Sequence, residues 1–297
     1  MKVGKLGVNM LRRYLLKDIQ KRRLNYPPHI FKEKINIPYI KDGNAQHSYD
    51  VYLANEENRK RVCVIDIHGG SYVFGDHQDN YPYGFEFLKE GFDVVLVDYV
   101  PNDGKHDTYD LFLDVVSCIN HLIEHLKEYD LDKDKFVICG DSAGGHLALL
   151  LAEALLDKNV ADILKISLKE LVPIGVVVSS PVYDFYHIGE GSMTRSGLKR
   201  MFGPQYRDRE RFKWLSPRTY IRAIRVPLFI STCVNDFIRN EPLTLRDDVK
   251  DYPGFTFIDV KNDHPAVDHV HNVTKTKLDD SIKVNKAAME FINSLIK

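Results

Sequence analysis

The chain has 297 residues, 44% of them hydrophobic and 28% charged, with a formal net charge of -1. That length holds one α/β domain or two smaller ones, and we read a single domain, 1–297, with a lid. Near-neutral charge without a long single-sign tail removes the whole-chain electrostatic case for nucleic acid, and no apolar run approaches the roughly eighteen residues of a membrane span.

The first segment is basic and amphipathic. Met10-Leu11 and Leu15-Leu16 are interrupted by Arg12, Arg13, Lys17, Lys21, Arg22 and Arg23, which denies a secretory signal its apolar region and makes cytoplasmic residence the expectation. Leu11, Leu15 and Ile19 share a helical face, predicting a lid helix docked over an active site; an anionic membrane surface competes as its partner. Tyr26-Pro27-Pro28 marks a break, and 48–54 reads as a strand leading into the main sheet. The runs 62–67 and 93–98 are nearly continuous aliphatic stretches, as in strands covered on both faces. Leu111, Val115, Cys118, Ile119, Leu122 and Leu126 follow a helical repeat within 108–127. A strand ending at Cys139 comes next, then a helix with Leu147, Leu150, Leu151 and Ala154 on one stripe. Strands at 175–179, 227–233 and 255–260 and a final helix carrying Val284, Ala288, Phe291, Ile292 and Leu295 complete the pattern. Such alternation predicts an α/β fold, a mostly parallel central sheet with helices on both faces. The stretch 186–225 has mixed charge, Phe202, Tyr206 and Trp214, and no strand pattern; with 1–30 it is the expected cap over the carboxyl edge of the sheet, where open α/β sheets bind ligands. Cys63, Cys118, Cys139 and Cys233 all lie in apolar runs without C-x-x-C spacing, which favours buried thiols over disulfides or a zinc site.

Chemistry concentrates at Gly140-Asp141-Ser142-Ala143-Gly144-Gly145. A serine between glycines at G-x-S-x-G spacing fits a sharp strand-to-helix turn that pushes its hydroxyl out of the backbone. The helix that starts there offers N–H groups and a positive dipole end to a developing oxyanion. A serine hydroxyl also needs a base, an acid to orient that base, and further oxyanion donors. His68-Gly69-Gly70-Ser71 directly follows the strand ending at Ile67: Gly69 makes the bend, and the N–H groups of Gly70 and Ser71 join that of Ala143. Asp236, just after the strand ending at Cys233, is the expected acid; Glu241 and Asp263 compete less well, because neither immediately follows a strand. The base is one of His264, His269 and His271, and we choose His269, in the loop toward the terminal helix. His146 lies in the helix of Ser142 itself, where packing or capping suits it better. Chain order is then Ser, Asp, His, as in an α/β hydrolase. A rival reading takes Asp263-His264 and Asp268-His269-Val270-His271 as metal ligands of a metal-dependent hydrolase, but it leaves the elbow and the oxyanion loop unexplained.

Together His68-Gly69-Gly70, Gly140-Asp141-Ser142-Ala143-Gly144-Gly145, Ser180-Pro181-Val182-Tyr183-Asp184 and Asp236-Phe237-Ile238-Arg239-Asn240-Glu241 resemble the hormone-sensitive-lipase-like branch of the α/β hydrolases, over roughly 48–297. The resemblance implies a serine carboxylesterase with a helical cap built from the N-terminus and 186–225; the expected mechanism runs through an acyl-enzyme on a small-molecule ester and needs no metal or organic cofactor, and short-chain acyl esters are the default substrates because nothing indicates a large exposed lipid-docking surface. The chain departs from the family pattern where Ser71 replaces a third glycine, where Phe237 replaces a common proline, and where His269-Val270-His271 replaces H-x-F. Some relatives in this fold lose the base and become ligand receptors, so a non-catalytic binding protein is a second alternative. Tyr72, Phe74, Tyr81, Tyr83, Tyr186, Phe202 and Trp214 are possible walls of an acyl pocket, although ordinary core and lid packing accounts for at least half of them. An exposed edge strand or the terminal helix leaves room for a homodimer.

Overall fold

The structure is a computed structural model describing residues 26–186 and 202–296, together with 17, 19, 20, 23 and 199. Most of the expected lid helix and the first part of the 186–225 cap segment lie outside the described residues. In chain order the elements are β1 (Lys32–Pro38), β2 (Ser48–Leu53), β3 (Cys63–Ile67), α1 (Tyr81–Lys89), β4 (Asp93–Val97), α2 (Thr108–His125), β5 (Phe136–Asp141), α3 (Ser142–Leu156), α4 (Lys158–Ile163) and β6 (Pro173–Ser179). They continue with α5 (Arg209–Trp214), β7 (Leu228–Cys233), α6 (Asn240–Val249), β8 (Phe255–Val260), α7 (His271–Thr274) and α8 (Asp279–Leu295).

The described strands form one sheet in the order β1-β2-β4-β3-β5-β6-β7-β8. β1 and β2 pair antiparallel, as do β2 and β4; every other neighbouring pair is parallel. Every residue of β3, β4 and β5 is buried, which explains their unbroken aliphatic character. Successive side chains on a strand face opposite sides, so Ile65 joins Leu111 and Val115 of α2 in one core while Val64 joins Phe87 of α1 and Ile292 of α8 in the other. Because β3, β5, β7 and β8 run parallel, the loops after them emerge on one edge of the sheet.

The sequence reading missed β1 and several helices, α1 among them. β1 has no buried face to produce an alternating pattern, and its register shifts between Lys34 and Ile37, where Asn36 takes a left-handed φ of 54°. α1 carries a proline in its first turn and Gly84 in its interior, which blur a helical repeat. The four cysteines are buried and unpaired. Among the described residues no helix is long and apolar enough to cross a membrane.

Helix α3 runs through the middle of the molecule and is buried along nearly its whole length. It carries one carboxyl, Glu153, fully buried and with neither side-chain oxygen hydrogen-bonded among the described residues. Burial alone pushes the pKa of this carboxyl well above its ordinary value, so the fold holds it neutral. A group that binds its proton more tightly when folded destabilises the fold progressively as pH rises above the unfolded pKa. Glu153→Gln is therefore expected to match the parent protein in stability near pH 4. It gains about 1.4 kcal/mol per pH unit above that, up to the elevated folded pKa, as read by urea unfolding at a series of pH values.

Candidate active site

Ser142 opens α3 at the end of β5 with φ of 52°, the left-handed conformation that an L-residue adopts only under constraint. The constraint is close packing. A Cβ on Gly144 would overlap the carbonyls of Ile67 and His68, so glycine there lets the helix press against the end of β3. That contact sets the serine beside the His68-Gly69-Gly70 loop.

The Ser142 hydroxyl lies 2.8 Å from His269 Nε2, and His269 Nδ1 lies 2.7 Å from Asp236 Oδ1. Asp236 Oδ1 also accepts the N–H of Ile238, and Oδ2 accepts the hydroxyl of Thr232. Burial works against the charge on Asp236, but hydrogen bonding and the field of His269 outweigh it and hold the carboxyl below its ordinary range. The structure thus joins Ser142, Asp236 and His269 across separations of 127 and 33 residues. The other histidines are engaged elsewhere: His264 Nδ1 accepts from the N–H of Ala266, and His271 Nδ1 meets the Ser281 hydroxyl. His146 Nε2 donates to the Leu215 carbonyl, and its ring stacks on Phe185; burial depresses its pKa to about 4. Among the described residues no group of three or more His, Cys, Asp or Glu side chains is placed to hold a metal ion. Glu241 accepts the N–H groups of Tyr183 and Asp184.

The His68-Gly69-Gly70-Ser71 loop is held from two sides. Gly69 donates its N–H to Asp141 Oδ1 at 2.9 Å, and a Cβ at Gly69 would strike that same carboxyl. The N–H groups of Gly70 and Ser71 bond no backbone carbonyl among the described residues, and that of Ala143 belongs to the first turn of α3, where N–H groups lack intrahelical acceptors. On the far side His68 donates from Nδ1 to the Gly69 carbonyl at 2.6 Å and from Nε2 to Asp98 Oδ1 at 3.0 Å. A trans peptide sets its C=O and N–H in opposite directions, so anchoring the Gly69 carbonyl turns the Gly70 N–H away from His68.

These supports were not legible in the sequence. Asp98 also faces His77 Nδ1 at 3.1 Å, while His77 Nε2 lies 3.1 Å from Asp50. Burial opposes charge on both imidazoles, yet the carboxylates prevail, raising the His68 pKa and taking that of His77 to about 10. Asn80 donates to both Asp66 and Asp141. Burial, reinforced by the neighbouring Asp141, lifts Asp66 to about 7. None of these residues carries a spacing signal, because each partner comes from a different strand or loop.

A cavity of about 330 Å³ opens onto Ser142 and His269, walled by Gly70, Ser71, Phe74, Asn80, Phe237 and Lys275 among others, with buried Ile19 at its edge. Of the seven aromatics considered as acyl walls, Phe74 alone is among its lining residues. Tyr81 and Tyr83 belong to the core beneath α1, and Tyr72 and Phe202 pack with Phe185. Trp214 packs on Tyr109, and Arg209 covers Tyr186.

The family model described as BD-FAE matches residues 49–240, more than half of the chain. Human arylacetamide deacetylase-like 4 is 28% identical over 102 residues, 34% of this chain and 25% of that protein. A probable isoprenylcysteine alpha-carbonyl methylesterase of Arabidopsis thaliana, ICMEL1, is 23% identical over 120 residues, 40% of this chain and 25% of that one. The matches thus span about a quarter of the length of these curated relatives. Among solved structures, esterase B from Lactobacillus rhamnosis, inhibited by a tributyrin phosphonate, superposes with a TM-score of 0.85 at 20% identity, covering 97% of this chain and 94% of that one. The chain belongs to the BD-FAE family, within the hormone-sensitive-lipase-like branch of the α/β hydrolases.

Proposed function

We propose that the protein is a serine carboxylesterase that hydrolyses short-chain acyl esters through Ser142, His269 and Asp236. The observation that carries this reading is the hydrogen-bonded line from Ser142 Oγ through His269 to Asp236, opening into a cavity bordered by Gly70 and Ser71. His269 takes the serine proton as Oγ attacks the ester carbonyl, and Asp236 stabilises the resulting imidazolium. The N–H groups of Gly70, Ser71 and Ala143 receive the oxyanion, each such donor being worth about 3 kcal/mol. Gly69, with its own N–H committed to Asp141, shapes the loop. Collapse of the intermediate expels the alcohol with a proton from His269, and water activated by the same imidazole then releases the acid.

A cavity of about 330 Å³ stands at the small end of ligand sites, which favours short acyl groups. The names of the relatives, a deacetylase-like protein and a methylesterase, agree with ester chemistry. The cap assignment is supported by Ile19, buried at the cavity edge, by Arg23, paired with Asp76 and Asp79, and by Phe202 and Phe212 packed on Phe185. Incubation with a short-chain alkyl phosphonate is expected to add one phosphonyl group to the chain. Peptide mapping by mass spectrometry locates it, and an adduct anywhere other than Ser142 contradicts the assignment.

A further inference from the structure

Phe237 is 75% exposed, the most exposed large apolar side chain among the described residues. Single exposed aromatics need no explanation in general. This one is different, because its ring centroid lies 4.4 Å from that of His269, tilted by 55°, and it lines the triad cavity. Nor does its backbone swing freely. The N–H of Ile238 donates to the Asp236 side chain at 2.9 Å, and the N–H of Arg239 donates to the Asp236 carbonyl at 3.1 Å, which pins the turn carrying the ring.

Resting on the serine-esterase reading above, we propose that Phe237 is the leaving-group platform, a specificity-determining residue that selects esters whose alcohol portion presents a flat apolar face. The tetrahedral intermediate has three substituents besides Ser142 Oγ, and each has its own direction. The oxyanion faces the N–H groups of Gly70, Ser71 and Ala143. The leaving oxygen must come within reach of His269 Nε2, which protonates it as the carbon–oxygen bond breaks and the electron pair leaves with the alcohol. The acyl chain takes the remaining direction. A ring that touches His269 therefore flanks the alcohol, and an apolar alcohol laid against it removes both surfaces from water.

Benzyl butanoate and ethyl butanoate test this assignment. They form the same acyl-enzyme from alcohols of similar acidity, so the ratio of their kcat/KM values isolates the acylation step. The wild-type protein is expected to favour the benzyl ester, and Phe237→Ala to lower the benzyl-to-ethyl ratio roughly three- to tenfold, the range of one aromatic contact. Phe237→Leu falls between. The relative rates along a series of ethyl esters of increasing acyl length are expected to coincide in the wild type and both variants. An unchanged benzyl-to-ethyl ratio overturns the proposal, as does an equal loss on both esters, which marks a structural role for the turn. A change confined to the acyl series also overturns it, by placing the ring on the acyl side. Ser142→Ala is assayed in parallel: if it still hydrolyses ethyl butanoate, the serine mechanism itself fails and the platform with it, an outcome distinct from a flat ratio in a serine-dependent enzyme.

Discussion

Ser142→Ala is expected to lower kcat on a short-chain nitrophenyl ester by about a millionfold, near 8 kcal/mol of transition-state stabilisation. The magnitude follows from losing the covalent route altogether, since among the described residues no other hydroxyl bonds His269 Nε2, which lies 2.8 Å from Ser142 Oγ. His269→Ala is expected to cost as much, and the double variant no more than either single one, because the two residues act as a unit. His264→Ala and His271→Ala stay within about tenfold of the wild type, given that neither ring touches Ser142. Pre-steady-state and steady-state assays on all five variants decide the matter. A collapse confined to His264→Ala would transfer the role of base. The serine variant keeps its fold: alanine is smaller than the residue it replaces, and the left-handed backbone there is enforced by packing around Gly144.

The second large effect concerns Asp236. Asp236→Ala is expected to lower kcat about ten-thousandfold, since the imidazole loses both its orienting acceptor and its counter-charge. Asp236→Asn is the more informative change. Oδ1 accepts from both His269 Nδ1 and the Ile238 N–H, whereas Oδ2 accepts the Thr232 hydroxyl, and the Ser180 hydroxyl also bonds this carboxylate. The Ile238 N–H, an obligate donor, holds an asparagine's oxygen at the Oδ1 position facing His269 Nδ1, while its NH2 turns to Thr232, whose hydroxyl rotates to accept. The required tautomer survives and only the charge is lost. Asn is therefore expected to recover about tenfold or more over Ala in kcat. Equal rates for the two variants would mean that the amide adopts the opposite orientation.

What the sequence reveals and what it hides divide along physical lines. The elbow was legible because a serine on a strained turn demands small residues at fixed spacing, and the glycines supply it. Asp236 and His269 were legible because parallel strands deliver their C-terminal loops to one edge, so strand ends name the neighbourhood. The choice among three histidines rests on position in the loop, and among those three the structure sets His269 against Ser142. The buried supports were hidden: Asn80 reaches Asp66 and Asp141 from a short 3₁₀ turn, and the chain from His68 through Asp98 and His77 to Asp50 links four separate elements. Such contacts leave no period. Val270, beside His269, takes a φ of 51°, which no propensity would suggest for a β-branched residue. Most of the aromatic residues belong to core and lid packing, as expected for at least half of them, because tyrosine and phenylalanine serve the core as readily as a pocket; exposure, which singles out Phe237, is not written in composition.

The 127-residue separation between Ser142 and His269 also bears on how the molecule acquires chemistry as it folds. Contacts between residues so distant form late, because the loop-closure entropy must be met before the contact stabilises anything. Ser142 meets His269 only once β5, β6, β7 and β8 have paired and the segment beyond β8 has docked. Reactivity toward a phosphonate reports the finished tertiary structure, so the rate at which refolding molecules become susceptible to labelling follows the last step of folding rather than the first.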